Sequence, residues 1–297
     1  MNKETELETF ASALEAHEDY KVLRRLRARR QIQPDDGSAR FRGILLDLET
    51  TGLDPNSEEI VEIALLPFTY SADGRIFEIG EGFDELRDPG KPIPKIVTDL
   101  TGITDAMVAG QKIDPQHVAD FVGDAHLIVA HNARFDRPFA ERFCPIFKQK
   151  YWACSMADID WPAEGAEGTK LFYLLILNGL FFEGHRALND CEAAIELLAR
   201  PMPRSGELAF SALLRTARQS SFRVWAQNAP FELKETLKAR GYRWNSGENG
   251  NPKSWYKDVA PDKQDEEVSY LNGEIYRRST DLRIDEINAK VRYSDRI

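Results

Sequence analysis

The sequence predicts an α/β domain in which helices pack on a mixed sheet, and three observations support this fold class. First, β-rich runs open the domain, at residues 41–49, 59–70 and 76–83. Second, the turn-forming segment Ser71–Arg75 fits a hairpin between the last two runs. Third, helical periodicity then alternates with short apolar runs. Strands followed by such alternation predict a sheet of mixed strand directions with helices on its faces.

The later elements of this domain follow from the spacing of their apolar residues. Two short strands are predicted at residues 127–131 and 151–155. Helices are predicted near residues 115–122, 135–143, 170–179 and 187–199. The segment Pro201–Glu207 is rich in turn formers and breaks the pattern, so we place the end of the domain at residue 203.

Two further parts flank this domain, so the chain is expected to comprise residues 1–40, 41–203 and 204–297. The helical spacing of leucines and the absence of proline predict an N-terminal helix over residues 3–30. The C-terminal part is expected to be a small α+β domain. Its predicted elements are a helix at 231–240, aromatic-rich strands at 242–245 and 254–259, and a helix at 263–276.

The net charge of -10 is unevenly distributed along the 297 residues. Residues 43–203 hold 13 Lys and Arg against 27 Asp and Glu, whereas residues 204–297 hold 17 against 14. The acidic middle suits cations as partners, and the neutral to basic flanks suit phosphates. Most single charges are nevertheless expected to be solvated surface.

Composition excludes several classes of protein. No apolar run approaches the roughly 20 residues that span a bilayer, so we expect no membrane partner. The N-terminus lacks a basic stretch followed by an apolar one and is not a secretory signal. The cysteines Cys144, Cys154 and Cys191 show no CxxC spacing, so we expect a cytoplasmic protein with reduced thiols.

Asp47 and Glu49 form the first candidate site. They lie two residues apart near the end of an apolar run, where a strand presents both side chains on one face. Such a pair is stable only with a cation or with protons. The alternative is a strand end with two solvated acids.

Two further segments carry candidate residues. Asp136 follows a second apolar run and falls in the first turn of a predicted helix, for which Asn132 is a natural N-cap. His185 is expected in a loop just before another helix, with Asp190 inside that helix. Taken singly, the aspartate suits a helix-dipole partner and the histidine an ordinary surface residue.

The order of these motifs is typical of one family. The segments read DLETTGL at Asp47–Leu53, NARFD at Asn132–Asp136 and HRALNDCEA at His185–Ala193. Together with LTGIT at Leu100–Thr104, they closely resemble the DEDDh 3′–5′ exonucleases, the group of RNase T and of the epsilon proofreading subunit of bacterial DNA polymerase III. The resemblance covers roughly half of the chain, residues 43–200. It implies an RNase H-like fold with a mixed five-stranded sheet.

The resemblance also implies a role for each acid and for the histidine. Asp47 would bridge two Mg²⁺ or Mn²⁺ ions. Glu49 and Asp190 would hold one ion, and Asp136 would hold the other. His185 would be the general base. These types suit the chemistry, because carboxylates bind hard cations and the ordinary pKa of an imidazole lies near neutral pH. Two such cations stabilise the attacking and leaving oxygens of an in-line displacement.

By the same resemblance, residues around the acids would bind the 3′ end of a substrate. The expected set is Thr50, Thr51, Leu100, Ile103, Asn132 and Phe135. Leu100 and Ile103 would wedge near the terminal base, with core packing as the alternative. The backbone at Thr50 or Thr51 would contact the 3′-hydroxyl, and Phe135 would pack beside the site.

The two flanking parts have open interpretations. Residues 224–259 interleave Lys and Arg with Trp and Tyr, and are weakly similar to small modules attached to DNA-handling proteins. This pattern suits single-stranded nucleic acid, whereas the alternative is that the aromatic residues form the core of a small domain. The basic run Lys21–Arg30 either lines a substrate path, packs on another subunit or is a solvated helix face.

The expected function is a metal-dependent 3′–5′ exonuclease that releases nucleoside 5′-monophosphates from a single-stranded or frayed 3′ end of DNA. Two alternatives stay open. One is an exoribonuclease that trims RNA, since nothing in the motifs distinguishes ribose from deoxyribose. The other is a nucleic-acid-binding subunit, accessory to a polymerase, whose nuclease is vestigial. A homodimer and a polymerase or repair partner are further expectations.

Overall fold

The computed structural model describes residues 3–248 and 250–297, and its central feature is a mixed sheet. The described chain begins with helix α1 (Lys3–Glu15) and the two-residue strand β1 (Arg24–Arg25). The antiparallel part of the sheet follows, as strands β2 (Phe41–Thr50), β3 (Ile60–Tyr70), β4 (Ile76–Ile79) and β5 (Phe83–Leu86). Strands β2 and β3 agree closely with their predicted bounds, whereas the third predicted strand is divided into β4 and β5.

The next part of the chain alternates helices with strands, as predicted. Its elements are α2 (Lys95–Thr101), α3 (Asp105–Val108), α4 (Pro115–Val122), β6 (Leu127–Ala130), α5 (Ala133–Phe143), a 3₁₀ helix (Pro145–Gln149), β7 (Tyr151–Cys154), α6 (Leu171–Leu177), β8 (Leu180–Phe181) and α7 (Ala187–Leu198). Local residues explain several helix ends. Asp114, for example, caps α4 by accepting a hydrogen bond from the Gln116 amide at 2.9 Å.

The strand order of the central sheet is β4-β3-β2-β6-β7, with β5 also paired to β3. Strands β2 and β3 are antiparallel, whereas β6 and β7 continue the sheet in parallel with β2. This is the RNase H-like arrangement. The sheet has a sixth strand because β3 contains Pro67, which has no N–H to donate, and the partner of β3 changes on either side of it.

Apolar side chains bury both faces of this sheet. On one face, Leu45 packs in a core that includes residues of α6 and α7. On the other face, Ile44, Leu46 and Leu48 pack in a core that includes residues of α4 and α5. Alternate residues of β2 therefore enter opposite cores, as the two-residue period of a strand requires. The central strand is fixed from both sides up to the point where its acids lie.

A second, smaller sheet forms the centre of the C-terminal part. Its elements are α8 (Ala209–Arg218), β9 (Ser221–Ala226), a 3₁₀ helix (Phe231–Leu233), α9 (Lys234–Ala239), β10 (Arg243–Asn245), β11 (Ser254–Val259), a 3₁₀ helix (Pro261–Lys263), α10 (Gln264–Tyr270), a π-helix (Leu271–Tyr276) and β12 (Ile284–Ile287). Its strands are antiparallel, in the order β10-β11-β9-β12. None of the helices in the described residues is long and apolar enough to cross a membrane.

Helix α8 packs on the central domain rather than on the small sheet. The ring of Phe210 meets the rings of Phe68 and Tyr70 edge-on, with centroids 5.4 and 5.1 Å apart. This helix follows the boundary predicted at residue 203, and its apolar face covers the central sheet. Helix α8 ends at Arg218, and the first strand of the small sheet, β9, begins at Ser221.

The N-terminal segment corrects the prediction of a helix over residues 3–30. Helix α1 covers only the first half of this range, and β1 pairs in parallel with β8. The amides of Arg24 and Leu26 donate to the carbonyls of Gly179 and Phe181 at 2.9 and 2.8 Å. Leu26 also packs against the central core. Backbone pairing and the burial of this leucine thus override the local helical spacing.

Candidate active site

Three carboxylates converge at the carboxyl end of strand β2. Asp47 and Glu49 lie two residues apart on this strand, and Asp190 lies in the first turn of α7. One oxygen atom from each of these residues lies within 4.8 Å of the other two. The two-residue period of the strand places both of its acids on one face, and α7 brings the third acid to that face.

Asp136 adjoins this trio from the first turn of α5. Strand β6 runs parallel to β2, so the turn after β6 opens at the same end of the sheet as Asp47. Asp136 is 2% exposed. After burial itself, the charge of Asp136 is the largest cause of the raised pKa of Asp47. The four acids therefore form one electrostatic unit, which we call the acidic cluster.

Burial and mutual repulsion raise the pKa of every acid in this cluster. Burial, followed by the charge of Asp190, raises the pKa of Glu49 to about 8. Burial also raises the pKa of Asp190 to about 6, against the effect of a backbone hydrogen bond. It is the main cause of the raised pKa values of Asp47 and Asp136 too. Such carboxylates are stabilised by protons or cations, and their hard oxygen donors fit Mg²⁺ or Mn²⁺.

His185 lies in the loop before α7 and is exposed to solvent. Its φ of 65° is in the left-handed region, where residues other than glycine are uncommon and often functional. The backbone amide of His185 donates to Oδ2 of Asp190 at 2.8 Å. One carboxylate of the acidic cluster therefore fixes the backbone of the histidine, while the ring stays accessible to a ligand.

Glu62 supports the same loop, although none of the motifs contains it. It is fully buried on β3, opposite Glu49 in the strand pairing. Its Oε1 accepts hydrogen bonds from Nε and Nη2 of Arg186 at 2.9 and 2.6 Å, and its Oε2 accepts one from the Ala187 amide at 2.9 Å. The carboxylate thereby caps α7 from a neighbouring strand. Its sequence signal is a charged residue inside the apolar run Ile60–Leu66.

The basic run Lys21–Arg30 forms ion pairs with this loop and with the far end of α7. Arg25 pairs at 2.9 Å with Glu183, which lies in the loop that carries the histidine. Arg29 pairs at 2.8 Å with Glu196 on α7. Cations of the run thus bind carboxylates of the same chain, which favours a structural role for them over a substrate path.

Thr50 and Thr51 are buried in the turn after β2. The hydroxyl of Thr50 donates to the carbonyl of Gly52 at 2.6 Å, and that of Thr51 donates to the carboxylate of Glu58. The Thr51 amide also donates to the carbonyl of Glu59 at 2.9 Å, so both side chains and this amide are held within the protein.

Asn132 occupies the N-cap position of α5, but its side chain does not cap the helix. The prediction of a natural cap is wrong because φ is 86°, outside the extended region from which a cap side chain reaches the helix amides. The residue is exposed beside the first turn that carries Asp136. Phe135 is half-buried, and its ring lies 5.2 Å from that of Phe139.

Leu100 and Ile103 have opposite environments. Leu100, on α2, is 55% exposed, so its side chain is available to a ligand. Ile103 is fully buried in a small cluster with Val61, Ile93 and Val108. Burial favours the packing alternative for Ile103, because its side chain has no exposed surface.

An RNase H-like sheet with buried carboxylates at one end defines a class of metal-site hydrolases, and the comparisons with known proteins agree. The RNase T family model, described as Exonuclease, matches residues 44–198, just over half of this chain. The chain therefore belongs to this exonuclease family. Exonucleases of this kind use divalent metal ions, to which the acidic cluster is suited.

Two relatives and one solved structure illustrate the similarity. The DNA polymerase III subunit epsilon-like protein of Rhodobacter capsulatus is 32% identical over 188 residues, covering 59% of this chain and 26% of that protein. The PolC-type DNA polymerase III of Thermotoga petrophila is 27% identical over 172 residues, covering 53% of this chain and 12% of that protein. The structure of exonuclease X in complex with 5′ overhanging duplex DNA is 28% identical, with a TM-score of 0.41. The match covers 57% of this chain and 99% of that one. The chain thus matches about a quarter or less of these polymerase relatives.

The raised pKa values predict how the metal-free protein responds to pH. The pKa of Glu49 is about 8 and that of Asp190 about 6 in the folded state, against about 4 in an unfolded chain. The folded protein therefore binds more protons, and its stability falls as pH rises through this window. In chelator, we expect the midpoint of thermal unfolding to drop by at least about 3 °C between about pH 6.5 and pH 8.5.

This pH range avoids an effect of His131. Burial lowers the pKa of His131 to about 4, so this residue destabilises the folded protein only at lower pH. Adding Mg²⁺ or Mn²⁺ should reverse the drop, because ions that bind only the folded state stabilise it. Glu49→Gln is the control, and its drop should be smaller. A midpoint that rises with pH in chelator would contradict the repulsion between these acids.

A second prediction concerns Glu62. Glu62→Ala frees Arg186 and the first amide of α7, so we expect kcat of the exonuclease to fall by about tenfold to a hundredfold with little change in KM. Glu62→Gln should recover part of this loss, because its oxygen still accepts from the Ala187 amide.

The matched control is Glu196→Ala, which breaks a buried pair with Arg29 and Arg200 at the far end of the same helix. It should lower the melting temperature without lowering kcat. Equal losses of kcat in the Glu62 and Glu196 variants would show that helix stability, and not loop position, is the cause.

Proposed function

We propose that this chain is a 3′–5′ exonuclease that hydrolyses phosphodiester bonds at single-stranded or frayed 3′ ends of DNA and releases nucleoside 5′-monophosphates. The observation that supports this most directly is the convergence of the acidic cluster with the loop of His185. Hard carboxylates with raised pKa values next to an exposed imidazole suit metal-assisted attack of water on phosphorus.

Each acid has a proposed place around two Mg²⁺ or Mn²⁺ ions. Asp47 would contact both ions, because its carboxylate adjoins Glu49 and Asp190 and its pKa responds most, among charges, to Asp136. Glu49 and Asp190 would hold one ion, and Asp136 would hold the other. Such ions stabilise negative charge on the attacking and leaving oxygens of a phosphodiester.

His185 is proposed to accept the proton of the attacking water. Its ring is exposed, while Asp190 holds its backbone and Glu62 holds the next turn. A ring nitrogen would take the proton as the water oxygen attacks phosphorus, and the 3′ oxygen of the preceding nucleotide would leave. A tethered loop suits this role, because the ring can approach a bound 3′ end without being a metal ligand.

The terminal nucleotide is proposed to lie between Leu100 and the turn that follows β2. Leu100 offers exposed apolar surface for the terminal base. The backbone at Thr50 or Thr51 would contact the 3′-hydroxyl, because these residues directly follow Glu49 at the end of β2. Phe135 and Asn132, at the start of α5, complete the proposed binding set.

DNA is the substrate that we propose, because one relative named above is a PolC-type DNA polymerase III and the other is named as like its epsilon subunit. Their names also support a polymerase partner, in which case the chain would act as an accessory exonuclease. RNA trimming is the alternative within the same chemistry, because nothing in the acidic cluster itself distinguishes a ribose.

End-labelled oligonucleotides test the direction and the substrate. Single-stranded DNA, duplex DNA and RNA of matched sequence would be labelled at either end and incubated with Mg²⁺, Mn²⁺ or chelator. We expect 5′-labelled DNA to shorten from its far end, the 3′ label to appear first as a mononucleotide, and chelator to stop both. Early release of the 5′ label would contradict the 3′–5′ direction of hydrolysis. Faster trimming of RNA would contradict DNA as the preferred substrate.

Variants test the proposed roles. Asp47→Ala should abolish hydrolysis in a protein whose circular dichroism is unchanged, because it removes the acid shared by both ions. His185→Ala should lower kcat by about 10²- to 10⁴-fold, the usual contribution of a general base.

His117→Ala is the control for the histidine, since His117 is also exposed but lies on α4, which packs on the opposite face of the sheet from α7. It should keep the wild-type rate. Metal-dependent hydrolysis by Asp47→Ala would refute the site, and a wild-type rate in His185→Ala would show that another group takes the proton.

A further inference from the structure

The small C-terminal domain buries some aromatic residues and exposes others. Trp225 is fully buried and Tyr242 is 3% exposed, so both belong to the structure of that domain. Trp244, on β10, is instead 51% exposed. Its ring meets that of Trp255 edge-on, with centroids 5.4 Å apart, which fixes its orientation. An indole that is both exposed and held in place offers a face on which a planar ligand can stack.

An exposed cation lies next to this indole along the strand. Strand β10 is at the edge of the small sheet, so Arg243 and Trp244 project to opposite faces of an accessible strand. The Arg243 side chain is 55% exposed and lies 5.2 Å from the ring of Tyr256. It shares the carboxylate of Asp258 with Arg223. Arg223 is buried and bonds this carboxylate at 2.7 Å, so Arg243 is the member of the group that presents positive charge at the edge.

A cleft extends from the segment after β10 to the start of α5. Glu248 follows Trp244 by four residues, which span at most about 14 Å of extended chain. Glu248 lines the cleft of about 570 Å³ whose other side includes Asn56, in the turn after β2, and Arg134. Arg134 lies at the start of α5, two residues before Asp136. The cleft therefore leads from the segment after β10 to the helix that carries Asp136.

We propose that the β10 edge binds the single-stranded part of the substrate on the 5′ side of that 3′ end. This inference rests on the proposed function, which supplies nucleic acid as the ligand. Trp244 stacks on a base and Arg243 neutralises a phosphate, the combination by which proteins hold single strands without a preferred sequence. The cleft itself is lined by two acids and two arginines, so the β10 edge contributes the attraction.

A single strand suits this edge better than a duplex. The bases of a duplex are stacked on one another and cannot reach the indole, whereas those of a single strand present their faces. The edge position agrees, because a flexible single strand that crosses β10 can stack a base on Trp244 on one face and place another phosphate at Arg243 on the other face.

Binding without hydrolysis tests the proposal on the full chain. Fluorescence anisotropy would follow single-stranded DNA of about 20 nucleotides in chelator at several salt concentrations. We expect Trp244→Ala to weaken binding about tenfold and Trp244→Phe to retain most of it. Arg243→Ala should reduce the slope of log affinity against log salt by about one. A matched RNA strand shows whether the edge also accepts ribose.

Tyr151→Ala and Lys290→Ala are the matched controls. Tyr151 is 49% exposed and has the Lys290 ammonium 5.2 Å from its ring, but it begins β7, at the opposite end of the central sheet from the acidic cluster. These controls should bind as the wild type does. Equal losses in the controls, or wild-type affinity and salt slope in the Trp244 and Arg243 variants, would overturn the proposal.

Hydrolysis of a trinucleotide separates this inference from the proposed function. Trp244→Ala should cleave a trinucleotide at the wild-type rate, because so short a strand does not reach β10, and should lose kcat/KM on the long strand. A wild-type chain that cleaves neither strand would refute the proposed exonuclease. A Trp244→Ala chain that cleaves the long strand normally would refute only the β10 inference.

Discussion

The main constraint on this structure is the mutual repulsion of four carboxylates, which the fold brings to one end of a buried strand. Asp47 and Glu49 come from β2 itself, and the segments after β6 and at the start of α7 add Asp136 and Asp190. Burial raises the pKa of all four, so positive charge at this point stabilises the folded state. The sheet can hold these acids because it is packed by apolar side chains. Leu48, between the two strand acids in the chain, is buried in the core on the opposite face.

The loop before α7 shows how this charge positions a side chain that packing does not hold. His185 is exposed, so the contacts of its neighbours set its place. Asp190 binds its amide, and Glu62 binds both the side chain of Arg186 and the first amide of the helix. Asp190 thus belongs to the acidic cluster and to the loop at once. Any cation that orients this carboxylate orients the histidine with it.

Local signals in the sequence predict the central domain well, and contacts between distant segments account for what they miss. The two-residue period of a strand predicts from the sequence alone that Asp47 and Glu49 lie on one face. Glu62, by contrast, is recognised by a partner 124 residues later in the chain. The helix expected over residues 3–30 gives way to β1 because its partner strand, β8, lies far along the sequence. Ile103 matches a substrate motif, yet its burial depends on residues from other segments.

The C-terminal part is attached to the central domain at both of its ends, and this attachment determines what its surface can do. Helix α8 covers the central sheet before the small sheet begins, and the residues after β12 return to α5. There the buried guanidinium of Arg137 donates to the carbonyls of Ala289, Lys290 and Arg292 at 3.3, 2.5 and 2.5 Å. A domain anchored twice keeps a fixed distance from the acidic cluster, unlike a domain on a linker. A strand held at β10 would therefore raise the effective concentration of its own 3′ end at the acids, and the small domain would contribute geometry as well as affinity.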